Sequence, residues 1–456
     1  MRILTGRGLK LALISLTTVA MSGCGTYYDK TLVFNNKYEQ GEYADARSYL
    51  ESQKKLKNGK AKVLYDLNFA TASFMLDDTQ ASIDHFAEAD RYAEDFSKNY
   101  AYEALALVSN PTVRPYELEY FENVLIHFYQ ALNYIKLSDF EGAIVECRRM
   151  NLVLDELHDA FRRHDGRRYS RDAFGHLLMA VVYEMVGKDN DAFIAYRNAL
   201  EIYESDYQPM YGTPVPQCLK RGIIRSAYRT GFTQEGRKYE KKFGIAYETS
   251  KGKGRLLAFL LDGMSPVKGE VSVDFVKTNG VGFASFSSPN SDFQVPIFWG
   301  DCSQSERSAL SDFSYIRLTL PQYQDRGVRC LGNLKINGTE CGADVVENVS
   351  KIAHQSLKDR MWRELGKAIL RAATKEAMHQ AAAKQNDYIG LLVNIANAVT
   401  DKADTRCWMS LPSVIRMVDV ELAEGSYEVD YSTCATESTT VAIRDGKTSV
   451  LFFRGF

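Results

Sequence analysis

Motifs that mark common enzyme classes are missing from this 456-residue sequence. It contains no Cys-x-x-Cys pair, which argues against a zinc ribbon or a thioredoxin-type site. It also has no Gly-x-x-x-x-Gly-Lys-Ser/Thr, Gly-x-Ser-x-Gly, His-Glu-x-x-His or strand-linked Gly-x-Gly-x-x-Gly motif. A net charge of −2 gives no overall attraction to nucleic acid. We therefore expect that the protein is not an enzyme and that it binds no cofactor, no metal and no nucleic acid.

One catalytic arrangement stays open from the sequence alone. Catalytic partners need only be close in space, so Cys407 and His354 remain a possible nucleophile and base.

Long apolar runs are also missing, because nothing after Met21 reaches the roughly 20 residues of a transmembrane helix.

The first thirty residues are typical of an exported bacterial lipoprotein. Three positive residues open the chain and no acidic residue precedes Asp29. An apolar run at 11–21 then ends in Met21-Ser22-Gly23-Cys24, which resembles a lipobox. The alternative is an ordinary secretory signal with a chance cysteine. The resemblance implies a signal peptide at 1–23, a diacylglyceryl group on Cys24 and a short tether at 24–30.

The membrane destination follows from the residue after the cysteine. Gly25 stands where an inner-membrane retention signal would place Asp. We therefore expect lipid anchoring on the outer membrane, facing the periplasm.

Residues 31–250 show a helical apolar period throughout. In 172–204, two amphipathic stretches flank a turn at Gly187-Lys188-Asp189, so the two helices must pack antiparallel. The unit resembles a tetratricopeptide repeat (TPR), with Ala192 expected to face the first helix. Similar turns precede a small residue at Ala46, Ser82, Ala143 and Gly236. The sequence predicts a degenerate array of about five hairpins whose concave face binds a partner; an irregular helical bundle is the alternative.

Beyond a linker at 250–254, the period changes to that of strands. A continuous apolar run at 256–261 suits a buried strand. Two hairpins are predicted, one turning at Glu424-Gly425 and one at Asp445-Gly446. The whole chain is therefore predicted to be an α+β multidomain protein. Its TPR-like solenoid is followed by a sandwich-like β-domain at 255–456, and each half is expected to form its own core.

A pair of helices is predicted to interrupt the β-domain at about 345–400. The second of them, Tyr388–Val399, is expected to be buried against the sheet, with insertion into a bilayer surface as the alternative. Any disulfides are expected beyond residue 300, where five cysteines lie: Cys302, Cys330, Cys341, Cys407 and Cys434.

Two stretches of the second half resemble a family of bacterial TPR-containing outer-membrane lipoproteins to which no activity is assigned. They are Leu261-Asp262-Gly263-Met264-Ser265-Pro266-Val267-Lys268 and Lys402-Ala403-Asp404-Thr405-Arg406-Cys407-Trp408-Met409-Ser410-Leu411-Pro412. Members are often encoded near lipoproteins that activate peptidoglycan synthases, which implies a role in the cell envelope. Cys407 replaces an expected Ser, so the resemblance says little about disulfides.

Asp404, Arg406 and Trp408 form a candidate site. If they lie on a strand, all three side chains share one face. An Asp–Arg pair beside an indole can hold a carboxylate or a sugar ring, or it can be an internal ion pair capped by a core aromatic. The leading functional hypothesis is a lipid-anchored adaptor that binds an envelope protein. The rival is a glycan- or peptidoglycan-binding lipoprotein that acts through the β-domain.

Overall fold

The apolar stripes of the first half form paired helices in the computed structural model, which describes residues 27–97, 115–160, 171–249, 251–289, 294–311, 314–327, 331–383 and 403–456. The helices of this half are α1 Tyr27–Glu39, α2 Tyr43–Ser52, α3 Lys54–Lys57, α4 Lys62–Met75, α5 Thr79–Ser97, α6 Tyr120–Lys136, α7 Phe140–Ala160, α8 Ala173–Met185, α9 Asp189–Ile202, α10 Gln208–Tyr211, α11 Gln217–Arg229 and α12 Thr233–Phe243. A π-helical turn, Tyr203–Tyr207, joins α9 to α10.

All five predicted hairpin turns are confirmed by the backbone. The second residue after the first helix adopts a left-handed conformation in each pair: Gly41, Asp77, Ser138, Gly187 and Gly231. In the fourth pair the next amide, Lys188 N, donates to Tyr183 O at 2.9 Å, which satisfies a carbonyl at the helix end. The pairs α1–α2, α4–α5, α6–α7, α8–α9 and α11–α12 are therefore hairpins of one kind.

Small residues stand where each second helix meets its partner. The equivalent positions are all buried: Ala46, Ser82, Ala143, Ala192 and Gly236. A Cβ atom built on Gly236 would come within 2.8 Å of the Tyr228 ring. The close approach of the two helices thus explains the recurring small residue and confirms the predicted orientation of Ala192.

Replacing Ala192 with leucine will overpack this contact. Ala192 is 0% exposed, and extra methylenes in a well-packed core typically cost about 1–3 kcal/mol. We expect a clear fall in the melting temperature of Ala192→Leu, measured by circular dichroism. Asn190→Ala, an exposed change on the same helix, should leave it nearly unchanged; an equal effect would assign the wrong face to α9.

The second half forms three four-stranded sheets. Its strands are β1 Lys253–Asp262, β2 Val267–Gly280, β3 Phe283–Ser287, β4 Gln294–Phe298, β5 Tyr315–Gln324, β6 Asn333–Ile336, β7 Thr339–Cys341, β8 Asp344–Glu347, β9 Val414–Ala423, β10 Gly425–Ser432, β11 Thr436–Ile443 and β12 Thr448–Gly455. The central sheet has the order β12-β1-β9-β8, the outer sheet β11-β10-β6-β7 and the side sheet β4-β3-β2-β5. Its helices are α13 Gln304–Ser311 and α14 Val349–Ala383.

The central sheet is covered on both faces, which explains the continuous apolar run of its middle strand. Along 256–261, the odd-numbered side chains join the core of the repeats and the even-numbered ones join a core shared with the outer sheet. The two sheets therefore pack as the predicted sandwich. The repeats form a third layer on the other side.

The two predicted hairpins are wrong, although their strands exist. β9 and β10 lie in different sheets, and so do β11 and β12. β12 instead pairs in parallel with β1, with Phe452 opposite Phe259. The short turns instead carry the chain from one sheet of the sandwich to the other.

The helical insertion begins later than predicted and is described only in part. Val345 lies in β8, so the helix starts at Val349 and runs to Ala383. Its beginning packs in the core of the repeats through Ile352, and its middle packs against the side sheet through Leu365 and Ile369. The second predicted helix, Tyr388–Val399, lies outside the described residues.

The expectation of two separate cores is wrong. One apolar cluster contains Leu125 and Leu178 of the repeats together with Phe259, Trp408 and Met417 of the second half. The central sheet and the segment before β9 fill the inner face of the helical array. The predicted concave binding face is therefore occupied by the chain itself.

The cysteine expectations have mixed outcomes. Among the described residues, Cys302, Cys341, Cys407 and Cys434 are free thiols, so the expected bridges are not formed there. Cys330 lies outside the described residues, as do the signal peptide and Cys24.

Candidate functional site at the inner face of the repeats

The first helix of each central hairpin is buried on every side. In α4 each residue from 63 to 74 is buried, and in α6 each from 124 to 133. Neighbouring helices of the repeats cover one face of such a helix. A part of the chain outside the repeats must therefore cover the opposite face. The covering elements are the central sheet and an irregular stretch at 403–413 that contains a turn at Met409–Ser410. We call this stretch the docked segment.

Polar side chains of the repeats fix the docked segment. Trp408 N donates to Glu122 Oε1 at 2.7 Å, and Ser410 Oγ donates to Asn68 Oδ1 at 2.7 Å. Both partners are buried on first helices of the array. The inner face thus binds a non-helical segment, and that segment belongs to the same chain.

The predicted cluster of three residues is brought together only in part. The docked segment is not a strand, so strand alternation does not place the side chains. Arg406 donates to both carboxylate oxygens of Asp404 at 2.8 and 2.7 Å, and its guanidinium lies over the Tyr116 ring. Trp408, 1% exposed, enters the core beside Phe86. The ion pair and the indole therefore have separate surroundings.

A buried ionic cluster lies beneath the docked segment. Glu119 accepts hydrogen bonds from Lys268 Nζ and from Arg360 Nη1, the latter at 3.1 Å. Burial by itself would raise the pKa of Glu119, but the two cations outweigh it and lower the pKa to about 2. Nearby, burial raises the pKa of Glu122 to about 7 against the attraction of Lys268.

A second buried network joins the repeats to the central sheet. Arg225 donates to both carboxylate oxygens of Glu184 at 2.8 Å, and Arg255 donates to Glu184 Oε2 at 2.8 Å. Arg255 also binds both carboxylate oxygens of Asp419 at 2.7 Å. Burial opposes ionisation of both acids, yet the guanidinium groups hold the pKa of Glu184 and of Asp419 below their usual values. Charge is balanced inside the network.

Stability will fall in acid because of these carboxylates. The folded state binds protons at Glu119, Glu184 and Asp419 less readily than the unfolded chain, whose pKa values are about 3.9–4.3. Their contribution is therefore complete above about pH 5 and is lost as the pH falls towards 2. Glu122, whose raised pKa acts in the opposite direction, takes up its proton at higher pH in the folded state, so urea unfolding should show the falling midpoint between about pH 4 and 3. A midpoint independent of pH would contradict the lowered pKa values.

A cleft of about 280 Å³ opens beside the second network, where the linker meets the turn between β11 and β12. Its walls include Arg229, Lys251, Lys253 and Lys447, with Glu421 as an acidic neighbour. Arg225 and Arg255 bind buried carboxylates, Arg229 lies 3.7 Å from Asp189, and Lys253 lies 4.0 Å from Glu248. Lys251 and Lys447 are the other two cations of the cleft wall. The chemistry of this cleft suits an anionic group.

These networks were missed in reading the sequence. The available signal was a single charged residue inside an apolar stripe, as Glu184 is in α8 and Asp419 is in β9. A charge at such a position must be paired when it is buried. The sequence does not reveal which partner is close in space.

The structure gives the candidate nucleophile and base different surroundings. His354 Nε2 lies 3.1 Å from Asp325 Oδ1 at an exposed position. Cys407 is buried, and burial raises the pKa of its thiol to about 11, although Lys268 acts in the opposite direction. A protonated thiol is a poor nucleophile.

Among the described residues, no group of three or more His, Cys, Asp or Glu side chains is arranged to hold a metal ion. Nor does any described helix combine the length and apolar character needed to span a bilayer.

Comparisons with known proteins find remote structural similarity only. No protein-family model and no curated protein matches the chain. A solved structure of the MamA protein aligns at 13% identity over 48% of this chain and 98% of its own, with a TM-score of 0.29. A kinesin light chain structure with TPR-like repeats, attributed to Podosopora anserina, aligns at 11% identity over 47% and 91%, with a TM-score of 0.31. The lipoprotein-family resemblance stays a prediction, and the repeat architecture rests on the hairpins described above.

Proposed function

We propose that this chain is a lipid-anchored adaptor of the bacterial envelope, held on the outer membrane through Cys24 and facing the periplasm. One observation carries the adaptor role. The helical hairpins present an outer surface with exposed apolar side chains, while their inner surface is filled by the docked segment and central sheet. Partner binding is therefore assigned to the outer surface, not to the concave face.

The outer patch consists of Val145, Leu152 and Ile194, which are 47%, 59% and 48% exposed. The first two lie seven residues apart on α7, so they share one helix face. Lys188 Nζ contacts Glu141 Oε1 at 2.7 Å, which places the start of α9 beside α7. Exposed apolar residues on neighbouring helices can supply the apolar centre of a protein-binding surface.

Site-specific photocrosslinking in intact cells tests the adaptor role. A benzophenone amino acid at Ile194 should give a discrete protein adduct, and the double change Val145→Ser and Leu152→Ser should weaken it. The matched control is the same probe at Leu331, which is 60% exposed but lies outside the repeats. The absence of an adduct at Ile194, or an equal adduct at Leu331, would count against this surface.

Anchoring is tested at the cysteine itself. The Cys24→Ala protein should carry no lipid and should accumulate at precursor size, because lipoprotein processing requires the thiol. Palmitate labelling and electrophoretic size measure both effects. Mature-sized protein in the variant, or an unlabelled wild type, would overturn the lipid anchor while leaving the adaptor role to the crosslinking test.

The alternative is binding of a glycan or a peptidoglycan fragment, and the basic cleft favours it. Peptidoglycan stem peptides carry carboxylates, which Lys251, Lys253 and Lys447 can bind. Cosedimentation with purified sacculi tests this function. Lys447→Glu should reduce sedimentation, whereas Lys241→Glu on exposed α12 should not. Sedimentation without any crosslinked protein would favour the alternative over the adaptor.

A further inference from the structure

Four exposed lysines lie within seven residues at the first hairpin. Lys54, Lys55, Lys57 and Lys60 surround the single turn of α3, and we call them the lysine loop. In the described ranges none of their ammonium groups forms an ion pair. Clusters of four or more basic residues close to a membrane are typical of sites that bind anionic lipid headgroups.

The lysine loop lies close to the start of the first helix. The carbonyl of Lys60 accepts from Tyr116 N at 2.8 Å and from Arg406 Nη1 at 3.2 Å. The neighbouring Thr405 accepts, through Oγ1, a hydrogen bond from Tyr27 N at 3.4 Å. The docked segment therefore contacts both the lysine loop and the N-terminal end of α1, so these two parts of the chain lie close together.

Chain length then limits how far the lysine loop can be from the anchor. Three residues separate Tyr27 from Cys24, and an extended chain spans at most about 3.6 Å per residue, or about 11 Å. Charges act over about 8–10 Å at physiological ionic strength. A bilayer that holds a lipid on Cys24 thus lies at most about one such screening length from the start of α1, so this end of the repeats is the part of the described chain that the anchor brings nearest to the membrane.

We propose that the lysine loop binds the anionic phospholipid headgroups of the bilayer to which the chain is anchored. This inference rests on the proposed lipidation of Cys24. Two acyl chains already give stable attachment. The contact between the lysine loop and the headgroups therefore sets the orientation of the repeats relative to the membrane. It places the first hairpin on the membrane and leaves the opposite end of the repeat stack, with α12, away from it.

Amine footprinting of the wild-type lipidated chain tests the contact. The protein is reconstituted into vesicles of phosphatidylglycerol and phosphatidylcholine, or of phosphatidylcholine alone, and treated with a water-soluble acylating reagent. Peptide mass spectrometry then gives the labelling rate of each lysine. We expect the lysine loop to label about fivefold more slowly on the anionic vesicles, which corresponds to roughly 1 kcal/mol per lysine near such a surface. High salt of about 0.5 M should abolish the difference.

Lys238 and Lys241 on α12 are the internal controls, and their labelling should be the same on both vesicles. Equal labelling of the lysine loop on both vesicles, or protection that resists salt, would overturn the contact. The same spectra report the mass of the N-terminal peptide. An unmodified Cys24 would remove the anchor and with it this inference, whereas a lipidated Cys24 without protection would remove the inference alone.

Discussion

Expressed without the repeats, residues 255–456 will not form a folded domain. The inner face of the central sheet would be exposed, since Phe259 and Met417 pack in the core of the repeats. Arg255, 9% exposed in its side chain, would lose Glu184, and Lys268 would lose Glu119. Circular dichroism of this fragment should show no cooperative thermal transition.

Co-expression supplies the matched control. Residues 25–250 produced together with 255–456 should associate into a soluble complex, because the same apolar and ionic contacts can form between two chains. A fragment 255–456 that melts cooperatively on its own would show that the shared core contributes little. That result would restore the two-domain reading of the sequence.

Replacing Glu184 with glutamine will cost about 3–5 kcal/mol of unfolding free energy, the range found when one partner of a buried ion pair is removed. Glu184 is 2% exposed in its side chain and accepts from Arg225, Arg255 and the Tyr196 hydroxyl. A neutral amide leaves both guanidinium groups short of negative charge at a site where all three side chains are almost fully buried. Urea unfolding at pH 7 measures the loss.

The control is the same substitution at the surface. Glu42 pairs with Lys37 at 3.2 Å but is 47% exposed, and such pairs contribute about 0–1 kcal/mol. Glu42→Gln should therefore shift the midpoint only slightly. Similar losses in the two variants would mean that the Glu184 network is not desolvated.

Local structure was predictable where a short-range signal settles it. Gly187 and Asp77 lie just after their helices in a left-handed conformation, and the apolar period on either side leaves little freedom for the paired helix. Ala192 follows from the same geometry, since two helices joined by a short turn must approach closely.

Strand pairing was not predictable from the turns. Asp445-Gly446 is a common hairpin turn, yet β12 pairs with β1 almost two hundred residues earlier. A turn limits the local path of the chain but does not say which sheet each strand joins. That choice depends on the total burial of both faces, which is a property of the assembled layers.

The sequence by itself determined the helical hairpins, their turns and small contact residues, the change of period near residue 250, and the buried nature of 256–261. Each of these depends on neighbours within a few positions, where backbone geometry and apolar spacing act directly. The tertiary structure alone decided that the inner face of the repeats is filled by residues 403–413 and the central sheet. It also decided that Glu184 meets Arg255, because burial forces charges to pair with whichever opposite charge the packing brings near, however distant in sequence.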